Sequence, residues 1–125
     1  MKLLDTSVAV DFLRGRPEAV ELLTGLVATD DVVASELVRF ELLAGARSDE
    51  LESLAAFAAA LEWMPVDADV TRTAGALARR YRAAHSGIDD VDYLIAASAI
   101  VADAELLTTN VRHYPMLSGV RAPYG

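Results

Sequence analysis

Apolar residues fall into short blocks whose spacing switches repeatedly between strand-like and helix-like. Lys2 to Leu4 form a short apolar strand, and the segment from Val8 to Leu13 turns helically, with Thr6 and Ser7 available as caps, until Gly15 and Pro17 interrupt it. Pro17 to Val27 is a second helix, with Pro in its first turn and Val20, Leu23 and Val27 at helical spacing. Val32 to Ala34 make a short buried strand. Ser35 caps a helix from Glu36 to Ala44 that Gly45 stops, and another helix occupies Asp49 to Leu61. Trp63 to Val66 form a third strand. Asp67 or Asp69 opens a long helix whose core stripe is Val70, Ala74, Leu77, Tyr81 and Ala84, with Arg72 and Arg79 turned elsewhere. Ser86 and Gly87 break the chain. The stretch from Asp92 to Ala102 is apolar on nearly every side, which predicts a deeply buried helix, and Glu105 to Thr108 give a fourth strand. A weaker signal marks a last strand over Gly119 to Ala122.

Strands alternating with helices imply right-handed βαβ units and therefore an α/β fold with a parallel sheet covered on both faces. Ligands of such sheets bind beyond the carboxyl ends of the strands, where strand order reverses. At 125 residues and 54% hydrophobic, the chain has the length and the apolar content of one domain, residues 1–125, with a single core. No cysteine is present, so a disulfide framework and a thiolate metal site are excluded, and a reducing cytoplasm is the natural setting. The apolar start is broken by Asp5 and Asp11 and carries no cleavage site, and no uncharged stretch is long enough to span a membrane.

The formal net charge of −8 argues against a broad electropositive grip on nucleic acid. It leaves room for an enzyme whose own carboxylates hold a cation and whose few Arg meet phosphate. Lys2 is the only lysine; the preponderance of Arg suits bidentate phosphate contacts, and equally a coding bias that the abundant Ala also suggests.

The acidic residues are weighed against the sheet edge. Asp5 stands where the first strand ends, in LLDTS. Its competing role is a helix N-cap, which Thr6 or Ser7 fill equally well. On the helix from Glu36 to Ala44, Glu36 and Arg39 share a polar side, whereas Glu41 falls among Leu37, Val38 and Ala44. A charge on that face needs a cation, a partner or water. Three acids, Asp89, Asp90 and Asp92, crowd the start of the buried helix. One of the first two suffices as a cap, and Asp92, next to the apolar block, is assigned to chemistry. Asn110 follows the fourth strand, where a turn role is the ordinary reading. His113 packs or faces solvent, and Asp11, Asp30, Asp31, Asp49, Asp67 and Asp103 read as caps or solvated surface.

Taken together, LLDTS, ELVRFELLAGA, DYLIAASA and LLTTNVRHYP resemble, in order and spacing, the PIN-domain ribonucleases, and among them the VapC toxins of bacterial toxin–antitoxin pairs. The resemblance covers essentially the whole chain. It implies a three-layer α/β/α sandwich with a central parallel sheet, RNA cleavage dependent on Mg²⁺ or Mn²⁺, homodimerisation, and inhibition by a cognate VapB-type antitoxin. The family's first three acidic positions fall on Asp5, Glu41 and Asp92, and its fourth, usually Asp, falls on Asn110. By the same resemblance Asp5 and Asp92 are the principal metal anchors, and Glu41 is a ligand through water or to a second metal. Asn110 orients water or phosphate, and Thr6 hydrogen-bonds a ligand. An uncharged Asn110 leaves one-metal and two-metal chemistry both open.

Three other readings compete: a non-catalytic PIN-fold module that only binds antitoxin, a metal-dependent ribonuclease outside any toxin–antitoxin pair, and a phosphoryl-transfer domain with Asp5 as nucleophile. The last lacks the second acid that haloacid-dehalogenase-like phosphatases need two residues on, where Ser7 stands. Nothing in the residues names the RNA, because cleft shape decides it.

Overall fold

Four short strands, all parallel, lie in the order β3-β2-β1-β4 in a computed structural model that describes all 125 residues, Met1–Gly125. They are β1 (Lys2–Leu4), β2 (Val32–Ser35), β3 (Glu62–Met64) and β4 (Glu105–Leu107). Helices α1 (Thr6–Leu13), α2 (Pro17–Ala28), α3 (Glu36–Gly45), α4 (Leu51–Ala59), α5 (Ala68–Tyr81) and α6 (Asp90–Ala102) flank them. The expected three-layer α/β/α sandwich is the one observed. Leu4 pairs with Ala34 on one side and with Leu107 on the other, so β1 is a central strand. The chain steps outward through β2 and β3, then returns to the far side of β1 for β4. Strand order therefore reverses between β1 and β4, and the carboxyl ends of these two strands open into one crevice.

Both faces of β1 are covered, since Leu3 and Leu4 have no exposed surface although adjacent strand residues point to opposite sides. Helix α6 explains its uniform hydropathy in the same way. Ile95, Ala96 and Ala99 belong to the main core, while Tyr93 and Ala97 form a second small core with Val70 and Ala74 of α5. A helix with neighbours on two sides has little use for a polar face, and its small residues let them approach closely.

Several boundaries differ from the sequence pattern. The third strand runs over Glu62–Met64 rather than Trp63–Val66, because Pro65 has no N–H to donate to the ladder. No strand forms over Gly119–Ala122, where Gly119 adopts a φ of +76°. The helix expected from Asp49 begins as a 3₁₀ turn, Ser48–Glu50, and its α-helical part ends at Ala59, short of Leu61. Ala84 lies beyond the end of α5 and is exposed, and Val27 on α2 is also exposed. Helix α1 starts at Thr6 with Asp5 at its N-cap position, so Thr6 and Ser7 lie inside the first turn and cap nothing. Asp67 caps α5 by accepting from the Val70 N–H at 3.0 Å, and Asp103 ends α6 in the left-handed region with a φ of +50°.

Because Leu3 is enclosed on every side, Leu3→Ala is expected to cost about 2–5 kcal/mol in urea unfolding, transfer and cavity contributions together. A loss well below that range would mean that the layers close over the gap and that the core is not built around β1.

Candidate active site

The crevice between β1 and β4 is lined by carboxylates. Asp5, immediately after β1, is only 4% exposed. Its backbone N–H donates to Leu107 O at 2.9 Å, which extends the ladder one residue and fixes its Cα. Although it occupies the N-cap position of α1, its side chain caps no helix N–H. It turns instead to hydroxyls. Thr108 Oγ1 donates to Asp5 Oδ2 at 2.6 Å, Ser7 Oγ donates to the same oxygen at 3.3 Å, and Tyr114 Oη donates to Oδ1 at 3.1 Å.

Asp92 faces it from the first turn of α6. The capping box there is reciprocal: the Asp92 N–H donates to Asp89 Oδ1 and the Asp89 N–H donates to Asp92 Oδ2, both at 3.3 Å. The separation of roles read from the sequence is thus corrected, since Asp89 is the cap and Asp92 completes it. Asp92 Oδ2 also lies 3.1 Å from His113 Nδ1, and its Oδ1 lies 3.4 Å from the Tyr114 hydroxyl. A single phenolic proton cannot serve both carboxylates. If it goes to Asp5, as the shorter contact favours, Asp92 Oδ1 faces the phenol oxygen with no hydrogen between them.

Electrostatics agree with that crowding. Burial first, and then the charges of Asp89 and Asp5, push the Asp92 carboxyl above its ordinary range, against the opposing pull of the Asp89 N–H and His113. Burial, and then the Asp5 and Asp92 carboxylates, drive the Tyr114 phenol far up, so it stays a protonated donor. No Arg or Lys pairs with Asp5, Glu41, Asp89 or Asp92; His113 alone contacts one of them.

Glu41 comes from α3 to the rim of the same cavity, which has a volume of about 370 Å³. Its Oε1 accepts from Thr6 Oγ1 at 2.6 Å, and Glu36 and Arg39 pair on the other side of the helix at 2.7 and 2.9 Å. Ala44, expected beside Glu41 on a buried face, is exposed, so Glu41 looks onto a half-open groove rather than into a core. Asn110 also lines the cavity; its backbone N–H donates to Thr108 Oγ1 at 3.0 Å, and its amide makes no side-chain hydrogen bond. Asp5, Glu41, Asp92 and Asn110 therefore share one cleft. No three acidic or histidine side chains converge into a ready-made cage, so an ion held here takes one or two carboxylates and completes its shell with water, which is the habit of Mg²⁺. Oxygen donors with one imidazole and no thiolate suit such a hard cation.

Four contributors went unread in the sequence. Thr108, His113 and Tyr114 sit in LLTTNVRHYP, where a 3₁₀ turn, Val111–His113, folds the segment back over the crevice. His113 neither packs nor simply faces solvent, because it holds Asp92. The only signal was the density of polar side chains just past a strand end. Asp11, read as a cap or as solvated surface, lines the cleft and is tied by Tyr124 Oη at 2.7 Å and Arg16 at 3.5 Å.

A raised folded-state pKa at Asp92 means that the native chain holds its proton more tightly than the unfolded chain, so this residue withdraws stability as pH rises through the folded pKa. With divalent ions chelated, Asp92→Asn should melt a few degrees above the natural chain at neutral pH. That advantage should shrink in thermal scans taken at progressively lower pH, because the raised carboxyl of Asp92 protonates before ordinary carboxylates do. A variant that melts lower throughout would show that the capping role outweighs the repulsion.

A family model described as PIN domain matches residues 2–115. Ribonuclease VapC19 of Mycobacterium tuberculosis is 60% identical over 125 residues, covering 99% of this chain and 100% of the relative. Ribonuclease VapC10 of the same organism is 35% identical over 124 residues, covering 99% and 93%. Among solved structures, VapBC2 from Rickettsia felis, bound to a DNA fragment from its promoter, superposes with a TM-score of 0.83 over 97% of this chain and 96% of the other at 23% identity. With the family model and near-full-length relatives in agreement, the chain belongs to the PIN-domain family and, within it, to the VapC group.

Proposed function

We propose that this chain is the toxin of a toxin–antitoxin pair, an endoribonuclease that hydrolyses RNA phosphodiesters in the Asp5–Asp92 cleft with Mg²⁺ or Mn²⁺. The observation that carries the reading is the meeting of two carboxylates at one Tyr114 hydroxyl, with no Arg or Lys to neutralise them, at the strand-order reversal. Such a pair is poised for a cation. The ribonuclease names of the VapC19 and VapC10 relatives support the reaction class.

Asp5 and Asp92 would hold the ion, with Glu41 reaching it through water. When bound, a divalent ion supplies a water of lowered pKa and offsets the charge that develops on the scissile phosphate. The chain's own residues do the positioning. Thr108, Ser7 and Tyr114 fix the Asp5 carboxylate in one rotamer, and the Asp89 N–H with His113 fixes Asp92, so neither group reorganises when substrate arrives. Asn110, whose amide is uncommitted, offers a donor to phosphate or water without adding charge. Thr6 keeps Glu41 at the rim.

A VapB-type antitoxin fits the adjoining surface. The acidic cleft shares Val10 and Glu41 with a hollow between α1, α3 and α4, and that hollow shares Leu13 and Ser53 with an apolar groove of about 480 Å³ walled by Phe12, Leu23 and Phe57. A segment with an apolar helix and one Arg or Lys matches this trough along its whole length, with the cation among the carboxylates. The Rickettsia felis relative is itself a VapBC complex. A homodimer is part of the same proposal, for which the exposed Phe40 and Leu43 of α3 supply apolar surface.

Asp5→Asn and Asp92→Asn should each lower cleavage of a structured RNA by at least about a hundredfold, the scale lost with a preorganised electrostatic group. Millimolar Mn²⁺ should raise the melting temperature of the natural chain and not of the double variant. Undiminished cleavage by purified Asp92→Asn would falsify the assignment. Equal thermal shifts in both proteins would reduce the metal effect to ionic screening.

The antitoxin reading is tested with a peptide from the adjacent reading frame's basic, amphipathic C-terminal segment. It should bind with Kd in about the micromolar range or tighter and block cleavage, and Val27→Asp, at an exposed position of the groove wall, should weaken it by at least about tenfold, about 1.4 kcal/mol. Cleavage that persists in the peptide's presence would leave a ribonuclease without this mode of control.

A further inference from the structure

On the far side of loop Thr109–His113 lies a second polar cavity of about 480 Å³, lined by His85, Gly87, Ile88 and the loop itself. It shares Thr109, Asn110 and His113 with the acidic cleft, so the two hollows adjoin, with the loop as their common wall. Their chemistry is opposite. Asp5, Asp11, Glu41, Asp89 and Asp92 line the first, whereas no acidic side chain lines the second. In a chain with 19 acidic and 11 Lys and Arg residues, an acid-free hollow against the most acidic part of the surface stands out.

The second cavity also carries an uncommitted cation. Arg112 is exposed and, like Arg14, Arg47, Arg79, Arg80 and Arg121, belongs to no ion pair, but of these six it alone lines this cavity. The wall behind it is firm, because the Thr109 N–H donates to Ser7 Oγ and the Asn110 N–H to Thr108 Oγ1, both at 3.0 Å. Opposite, the exposed His85 ring lies 5.9 Å from that of Tyr81, a flat surface at the rim. A guanidinium on a rigid loop beside an exposed ring is suited to a phosphate with its base alongside.

We infer that this cavity is the subsite for a nucleotide flanking the scissile bond in single-stranded RNA, with Arg112 holding its phosphate and His85 offering its ring to the base. The inference rests on the proposed RNA cleavage and deepens it. It divides the cleft's surroundings between two partners, RNA on the His85 and Arg112 side and the antitoxin on the α1–α4 side.

The test measures binding separately from catalysis. A fluorescent single-stranded RNA of about ten nucleotides is titrated with the full chain, divalent ions chelated, between about 50 and about 200 mM salt. Arg112→Ala should weaken binding about tenfold and reduce the salt slope by about one, the signature of one lost phosphate contact, with partial recovery in Arg112→Lys. Gly87→Glu, which adds a carboxylate to the cavity where a Cβ meets nothing within 4 Å, should weaken binding at least as much. Arg121→Ala, the same charge loss beside Glu105 at the other end of β4, should leave it unchanged. Equal weakening by Arg112→Ala and Arg121→Ala, an unchanged slope, or no RNA binding by the natural chain overturns the subsite. So does a loss confined to antitoxin binding, which would make the cavity a protein contact. RNA binding that depends on Arg112 in a chain that cleaves nothing with Mg²⁺ or Mn²⁺ keeps the subsite and overturns the nuclease reading instead.

Discussion

The arrangement at this edge of the sheet depends on how one buried carboxylate is hydrogen-bonded. Asp5 has no cation beside it, and a charge so enclosed is tolerated only where donors replace its water shell. Three hydroxyls do so, one from α1, one from the end of β4 and one from the segment that folds back over the crevice. Each is neutral, so they solvate the charge without cancelling it, and the residual negative potential is left for something outside the chain. Arginine in any of these positions would have given a more stable and chemically closed site. The same logic extends to Asp92, whose partners are a backbone N–H and one imidazole. These contacts also tie β1 to β4 beyond their short ladder, so the integrity of the crevice and the readiness of its carboxylates are one property.

Much of this was legible in the residues, and what was legible shares a physical cause. The alternation of short apolar runs with helical stripes reports burial on both faces of a parallel sheet, and that pattern led to the layer order and to the edge where Asp5, Asp92 and Asn110 stand. Glu41 was recognisable because a charge broke an apolar stripe. What escaped notice was set by the path of the chain after β4. Whether His113 reaches Asp92 depends on a single 3₁₀ turn, which has too few residues to impose a periodicity. The role of Tyr114 was hidden because a Tyr beside Pro115 serves equally well as packing. Asp11 was missed because its partners, Arg16 and Tyr124, are joined to it by tertiary contacts alone. Boundaries failed where a local rule prevailed over hydropathy, as at Pro65 and Gly119.

An acidic protein proposed to cleave RNA must keep its own charge from repelling the substrate. A few surface acids are held by arginines on the same or a neighbouring turn, such as Glu36 by Arg39 and Asp69 by Arg72, and long-range repulsion is screened within about 10 Å at ordinary salt. In the crevice, Asp5, Glu41 and Asp89 stand together with no basic partner, and a bound cation would reverse the local sign. A low overall positive charge costs affinity for nucleic acid in general. In exchange it weakens adhesion to every RNA that does not fit the crevice.

The partners of Asp5 lie almost a full chain length away, Thr108 at 103 residues and Tyr114 at 109. During synthesis, β1 and α1 emerge well before their partners and wait with their carboxylate unpartnered, since Thr108 and Tyr114 follow 103 and 109 residues later. The crevice cannot close on a ribosome-bound fragment, and a chain cut short anywhere before Tyr114 lacks part of the donor set. This chain order is a form of timing. The donor set around Asp5 is complete only once Tyr114 has left the ribosome, so the carboxylate and its partners come together late relative to the strand that carries it.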